Sequence, residues 1–431
     1  MRASRTALVG TVVWGSEYIE LFEKINIPSL LSSRNLPALW ARRPVRFLVV
    51  TTPPERDRIA CSAALQHIAR QIPVEVHPLD MDTVTADKYR RSSLGQSWLI
   101  RQAARQNAWL IMNAPDGVYG NGTYSTFDVL FDKHYRMIAT STLQTDAHSF
   151  PGACRECFSG TDVEPGPLVR LALDHPHPGQ IAQNAEAADF TTWPSALNWP
   201  YPKVGLLIRS FHAAIVAIRP DACMSIDNTI DGSFADRFVK SMHDIYLPQD
   251  SMQICVVNIN RNAVVANSGA AADPDRVAKF MERWAMPVHR HFVNHPYRAF
   301  HRNGSEAFWQ RLERKSSAFI ADCEQALTHH AQTRPARVGT LYRRGVHHLE
   351  QGDYGGAFHH FFTAAGLAPH NDAVLTGLAR CLHALPRDEA RRCIETLQGD
   401  FQIAPQVPSI LAKIPDISAG SGHDRIRNRT Q

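Results

Sequence analysis

Long apolar runs are missing from this chain of 431 residues. None approaches the roughly 18 consecutive apolar residues of a membrane-spanning helix, so no transmembrane segment is expected. The N-terminus carries Arg2 and Arg5 ahead of a short apolar run that holds Gly10 and ends in Trp14-Gly15-Ser16-Glu17. No convincing cleavage site follows, and the run reads as a first strand rather than a leader. Several catalytic fingerprints are absent as well: Gly-x-Gly-x-x-Gly after the first strand, the P-loop, Gly-x-Ser-x-Gly and His-Glu-x-x-His. Without them dinucleotide, kinase, serine-hydrolase and zinc-protease chemistries lose most of their support.

Cysteine is sparse: eight residues are scattered, and only Cys154 and Cys157 form a Cys-x-x-Cys pair. With His148 nearby, the pair still lacks a fourth ligand for zinc. It also lacks the strand–helix setting of a redox motif. Two loop thiols are the better reading, and reduced thiols in the cytoplasm are expected. A dominant charge is missing too. Lys and Arg total 46 against 41 Asp and Glu, a net charge of +5 spread along the chain. That argues against a nucleic-acid stripe. It leaves a mild attraction for nucleotide diphosphates, or for the inner face of a membrane at which a cytoplasmic protein would be peripheral.

What is present is an alternation. Strand-like runs at Thr6–Trp14, Val45–Thr51, Val74–Pro78, Ala108–Asn113 and Met137–Thr142 are separated by helical stretches at Tyr18–Leu31, Asp57–Gln71, Lys88–Arg105 and Thr123–His134. Ile19, Leu21, Phe22, Ile25 and Leu30 recur at near-helical spacing, and Pro28 should end or kink that helix. The fold class this implies is α/β, with βαβ units and a mostly parallel sheet flanked by helices. A second apolar block, Val204–Ile208, Ala213–Ile218 and Ile254–Ile259, should complete or extend the sheet. After Pro335 the pattern turns helical. Gly345, Tyr354, Ala357, Phe361 and Ala364, with a turn at Gly352-Asp353 and Pro369 closing the unit, resemble a tetratricopeptide repeat. The expected domains are an α/β domain over 1–300, a connecting helix over 301–332, a helical hairpin domain over 333–413 and a disordered tail over 414–431.

The most informative stretch is WLIMNAPDGVYGNGTY, residues 109–124. An apolar run ends at Pro115, one acid, Asp116, follows at once, and Gly117, Gly120 and Gly122 let the backbone turn tightly beside a ligand. A carboxylate at the carboxyl end of a buried strand stands where open α/β sheets bind ligands. The alternative is a turn in which Asp116 caps the next helix. Other candidates are dispersed. Arg209 has the planar fork that suits a diphosphate. His212, Asp227 and Asp231 carry groups that suit Mn2+ or Mg2+. Each also has a structural reading, as a core histidine or as turn residues before Gly232. His175 and His177 flank Pro176 and read as loop residues, and Trp193, Trp199 and Tyr201 read as packing.

Three segments, VVWGSEYIELFEKINIPSLLSSRNLPAL, PDGVYGNGTY and RSFHAAIVAIRP, resemble bacterial glycosyltransferase-like proteins of the nucleotide-diphospho-sugar (GT-A-like) type, some joined to tetratricopeptide repeats. The likeness covers roughly residues 6–300. It implies transfer of a sugar from a nucleotide sugar to a surface-glycan or protein acceptor in polysaccharide biosynthesis. Trp14, Gly15, Asp116 and Arg209 would hold the donor. Asp116 and His212 would hold a metal, and Asp116, Asp231 and His212 would serve the reaction. The sequence departs from an Asp-x-Asp motif at this point, because Val118 stands two residues after Asp116. That departure supports a second reading, a non-catalytic scaffold whose helical hairpin docks a protein partner.

Overall fold

The run Ala7–Val12 forms β1, and all six residues are buried. Cover on both faces explains why it reads as continuous apolar sequence rather than as an alternation. The structure is a computed structural model that describes residues 6–80, 87–222, 224–226, 230, 234–261, 269–302, 304–400 and 403–414. Further strands are β2 (Val45–Thr51), β3 (Val74–Pro78), β4 (Trp109–Met112), β5 (Gly117–Tyr119), β6 (Met137–Thr140) and β7 (Leu143–Asp146). They are followed by β8 (Ala196–Tyr201), β9 (Gly205–Ser210), β10 (Ala214–Ile218), β11 (Ile245–Tyr246), β12 (Val256–Asn260) and β13 (Tyr297–Phe300). Two compact units result: Met1–Val277 with Ala285–Cys323, and Ala278–Trp284 with Glu324–Gln431.

In the first unit a seven-stranded sheet has the order β11-β6-β10-β4-β1-β2-β3. β1 runs parallel to β2 and β4, while β10 runs antiparallel to both β4 and β6. The sheet is therefore mixed and mostly parallel. Successive side chains point to opposite faces. Val9, Phe47, Val49 and Ile111 pack with Ile19, Phe22 and Phe127 in one cluster. Leu8, Leu48, Val50 and Leu110 pack with Leu99, Ile100 and Phe292 in another. Helix Lys88–Arg105 begins where Asp87 accepts the Tyr89 N–H at 2.9 Å, an N-cap.

Two of the later runs leave the main sheet. β9 makes a hairpin with β8 and is paired on its other side by β13. β12 lies between β5 and β7. Of the second apolar block, only Ala213–Ile218 joins the large sheet, as β10. Local hairpin pairing and three strands that periodicity did not reveal, β5, β7 and β13, take up the other two.

The helix expected over Tyr18–Leu31 is broken into Ser16–Leu21, one π turn at Phe22–Asn26, and Ile27–Leu30. Pro28 sits in the first turn of the last segment, where a missing N–H costs little.

In the second unit, helices Tyr354–Leu367, Asp372–Ala384 and Arg387–Gly399 pack with the end of helix Glu306–Glu350. Gly352 takes φ +74° at the turn, and Asp353 caps the next helix by accepting the Gly356 N–H at 2.9 Å. The Phe361 ring fills the space left by two glycines. A Cβ on Gly345 would stand 2.8 Å from it, and one on Gly377 would stand 2.6 Å away. The boundary expected at 332/333 falls inside helix Glu306–Glu350, which contains Pro335. The second unit begins at Glu324 and also takes in Ala278–Trp284. The composition change there does not end the helix, whose buried positions continue from Leu327 to Val338.

Candidate functional site

From β1 the chain moves outward through β2 and β3, then returns to place β4 on the other side of β1. The strand order therefore reverses between β1 and β4. In open α/β sheets the crevice outside the carboxyl ends at such a reversal is where ligands bind. Trp14 and Gly15 follow β1 at this edge, and Asn113 to Asp116 follow β4. β10 runs the opposite way, with Ala217 facing Ile111 and Ile218 facing Leu110. Its first residues therefore lie toward the same edge, and His212 stands just before them. The topology thus sets Trp14, Gly15, Asp116 and His212 toward one edge of the sheet.

The ends of β1 and β2 are tied together. Gly15 takes φ +79°, and its N–H donates to Glu55 Oε1 at 2.7 Å. Glu55 Oε2 accepts from Thr52 Oγ1, also at 2.7 Å. Trp14 is half-buried against the second core cluster.

Asp116 does not cap a helix. It belongs to a tight turn in which the Gly117 N–H donates to the Ala114 carbonyl at 3.0 Å, and β5 follows. Its own carbonyl accepts the Ile259 N–H at 3.0 Å, which brings β12 and the residue after it, Arg261, alongside. Burial pushes the Asp116 carboxyl up to about 6, against the smaller pull of its own backbone N–H and of Arg261. Arg261 pairs with Glu17 and lies over the Tyr18 ring, 5.8 Å from its centroid. The Tyr18 hydroxyl is raised by burial first and by the Asp116 charge second. An acid poised near neutrality, a partly exposed guanidinium and a phenol thus meet at the reversal. Perturbed acids of this kind concentrate at functional sites.

Beneath them lies a buried polar network. Asn113 Nδ2 donates to Thr11 Oγ1 at 2.6 Å and to Asn26 Oδ1 at 2.9 Å. Asn26 Nδ2 donates to Asn113 Oδ1 at 3.1 Å, the Ala114 carbonyl at 3.0 Å and the Gly117 carbonyl at 2.7 Å. Ser29 and Asn35 hold the rest of the glycine-rich stretch. The Tyr119 N–H donates to Ser29 Oγ at 3.1 Å, and Asn35 Oδ1 accepts from the Gly122 and Tyr124 N–H groups.

Arg209 has a different job from the one its sequence position suggested. It lies on β9, 2% exposed, in one of the small sheets. Its guanidinium donates to Ser316 Oγ, Ser317 Oγ and the carbonyls of Val293, Asn294 and Glu313. Burial lowers its pKa to about 10. The guanidinium is a structural tie to helix Glu306–Glu350. Arg261 is the arginine that reaches the edge carrying Asp116, and a lone Arg just past a strand end was the signal for it.

His212 packs its ring 4.6 Å from that of His289. Asp227 and Asp231 lie outside the described residues. His177 caps helix Pro178–Ala182 by accepting the Gly179 N–H at 3.0 Å. The His175 carbonyl accepts the Asp146 N–H at 3.0 Å. Trp199 packs on Phe319 and Tyr201 on Phe308, while Trp193 is exposed. Cys154 and Cys157 are free thiols on helix Phe150–Cys157.

Among the described residues, no group of three His, Cys, Asp or Glu side chains could hold a metal ion. Arg261 is the charged neighbour of Asp116. Among the described residues, no helix is long and apolar enough to cross a membrane. No family model and no curated protein matches the sequence.

Proposed function

We propose that the chain is a glycosyltransferase of the nucleotide-diphospho-sugar type, moving a sugar from a nucleotide sugar to a glycan or protein acceptor. One observation carries the reading: Asp116, beside Arg261 and Tyr18, stands where the strand order reverses at the carboxyl edge of β1 and β4. The sheet order, with one antiparallel strand between β4 and β6, is in keeping with the fold that the sequence resembles.

Asp116 accepts hydrogen bonds from hydroxyls of the donor. Arg261 faces the diphosphate, where its fixed positive charge stabilises the leaving group as the sugar–oxygen bond breaks. The acceptor oxygen forms the new bond to the anomeric carbon. The proton of that hydroxyl passes to a base, for which His212 stands at the right edge. The diphosphate leaves with the electron pair of the broken bond.

Thermal shift with UDP-, GDP- and dTDP-sugars tests this. A donor at a hundred times its Kd adds about 2.7 kcal/mol of stability. Asp116→Asn and Arg261→Ala should each weaken that donor at least tenfold, about 1.4 kcal/mol. If no donor shifts the wild type, the scaffold reading takes over, with the absent second acid at Val118 as its support.

A further inference from the structure

We propose that Asn26 is the positioning residue of this edge: its carboxamide locks the Ala114–Gly117 turn and so fixes where the Asp116 carboxylate stands. The role in donor binding rests on the reading of the edge as a donor site.

Asn26 reaches its partners because the helix carries an extra residue. The π turn Phe22–Asn26 shifts the face of everything after it by one residue, and such bulges recur at functional sites. A polar residue in the core, 0% exposed, is thereby turned toward the end of β4, 87 residues away in sequence. Two of its acceptors are carbonyls of the turn that carries Asp116, Ala114 at 3.0 Å and Gly117 at 2.7 Å. Only the amide nitrogen can face two carbonyl oxygens, which settles the orientation of the side chain. The other end, Oδ1, accepts from Asn113, whose amide also reaches Thr11 on β1. The turn is thus tied to helix and sheet at once. No other side chain type of this size both donates to two carbonyls and accepts from an amide. An aspartate would put its charge against the carbonyls, and an alanine would take the side-chain donor from both, leaving Ala114 only the Gly117 N–H.

The test uses the full chain carrying Asn26→Ala, with Asn26→Asp and Asn26→Ser beside it. The first readout needs no ligand. The Asp116 carboxyl is followed by carbon NMR from pH 4 to 8, its signal assigned by its loss in Asp116→Asn. The second is the affinity of the nucleotide sugar that shifts the wild type most. The expected result is cooperative unfolding in all variants. In Asn26→Ala the Asp116 titration should move down toward the ordinary Asp range as water reaches the loosened turn. Donor affinity should fall at least tenfold. Asn26→Ser, which keeps one donor, should lie between. If Asn26→Ala does not fold, Asn26→Asp and Asn26→Ser carry the same comparison. An Asp116 titration unchanged in the folded variants overturns the positioning role, whatever the donor does. A moved titration in a protein whose wild type binds no nucleotide sugar supports the positioning role and overturns the donor reading alone.

Discussion

Asn35 caps a helix that begins 88 residues later in the chain: its Oδ1 accepts the Gly122 N–H at 3.0 Å and the Tyr124 N–H at 3.2 Å. Helix Thr123–Phe131 opens at Gly122, which takes φ +101° and has no side chain to cap with. The cap comes from another segment, and Asn35 Nδ2 completes it by donating to the Ser29 carbonyl at 2.9 Å.

Asn35→Ala removes that cap and leaves several buried backbone groups without a partner. The expected loss is about 2–3 kcal/mol, above the roughly 1 kcal/mol of an exposed cap, because each unpaired buried group adds its own cost. Urea unfolding of the full chain measures it. A loss below 0.5 kcal/mol would mean that water replaces Asn35 at no cost.

Gly377→Ala separates helix propensity from packing. Alanine is favoured over glycine in a helix by about 1 kcal/mol. Here the new Cβ would stand 2.6 Å from the Phe361 ring, and overpacking costs about 1–3 kcal/mol. Packing should win, so the variant melts earlier. Phe361→Leu in the same chain should recover part of the loss, a non-additivity that a double-mutant cycle reads directly. A variant more stable than wild type would show that the ring moves aside freely.

The sheet was legible where its strands are buried on both faces, as β2 is; β3 is half-buried or exposed throughout, and its ends still match the expected run. Asp116 was legible for the same reason, since Pro115 and the glycines punctuate the end of such a run. The residues that hold it were not. Asn26 falls outside the helical periodicity, and a π turn leaves no mark in that pattern. Arg209 misled because a guanidinium at the end of an apolar run suits an anion and a set of serine hydroxyls and carbonyls equally well. Only the contacts decide, and here they go to Ser316, Ser317 and three carbonyls.

Arg209→Lys follows from that. A lysine supplies three donors on one point and cannot span five acceptors set in a fork. The expected cost is at least 2–3 kcal/mol, most of it from buried oxygens left unpaired. Donor-induced stabilisation should persist in the variant, because Arg209 is not in the crevice. Selective loss of the donor response with stability intact would return Arg209 to the site.

Asp116 makes the stability of the fold depend on pH. Its carboxyl titrates at about 6 in the folded protein, against 3.8 for an ordinary Asp, because burial disfavours the charge. The folded state therefore holds the proton more tightly than the unfolded state does. For a group raised in this way, the stability it contributes is fully present below pH 4 and is lost as the pH rises through 6. Two units correspond to about 3 kcal/mol. Asp116→Asn stays neutral at every pH and never meets that loss. The two proteins should match near pH 3.5, where both side chains are uncharged, and the Asn variant should gain steadily up to pH 7. There it should be about 2–3 kcal/mol more stable while binding nucleotide sugar worse. Guanidinium unfolding at four pH values between 3.5 and 7.5, with wild type and variant side by side, measures the difference. Parallel curves across that range would mean that Asp116 ionises at its ordinary pKa. The carboxylate would then be too well solvated to be the poised acid of a site.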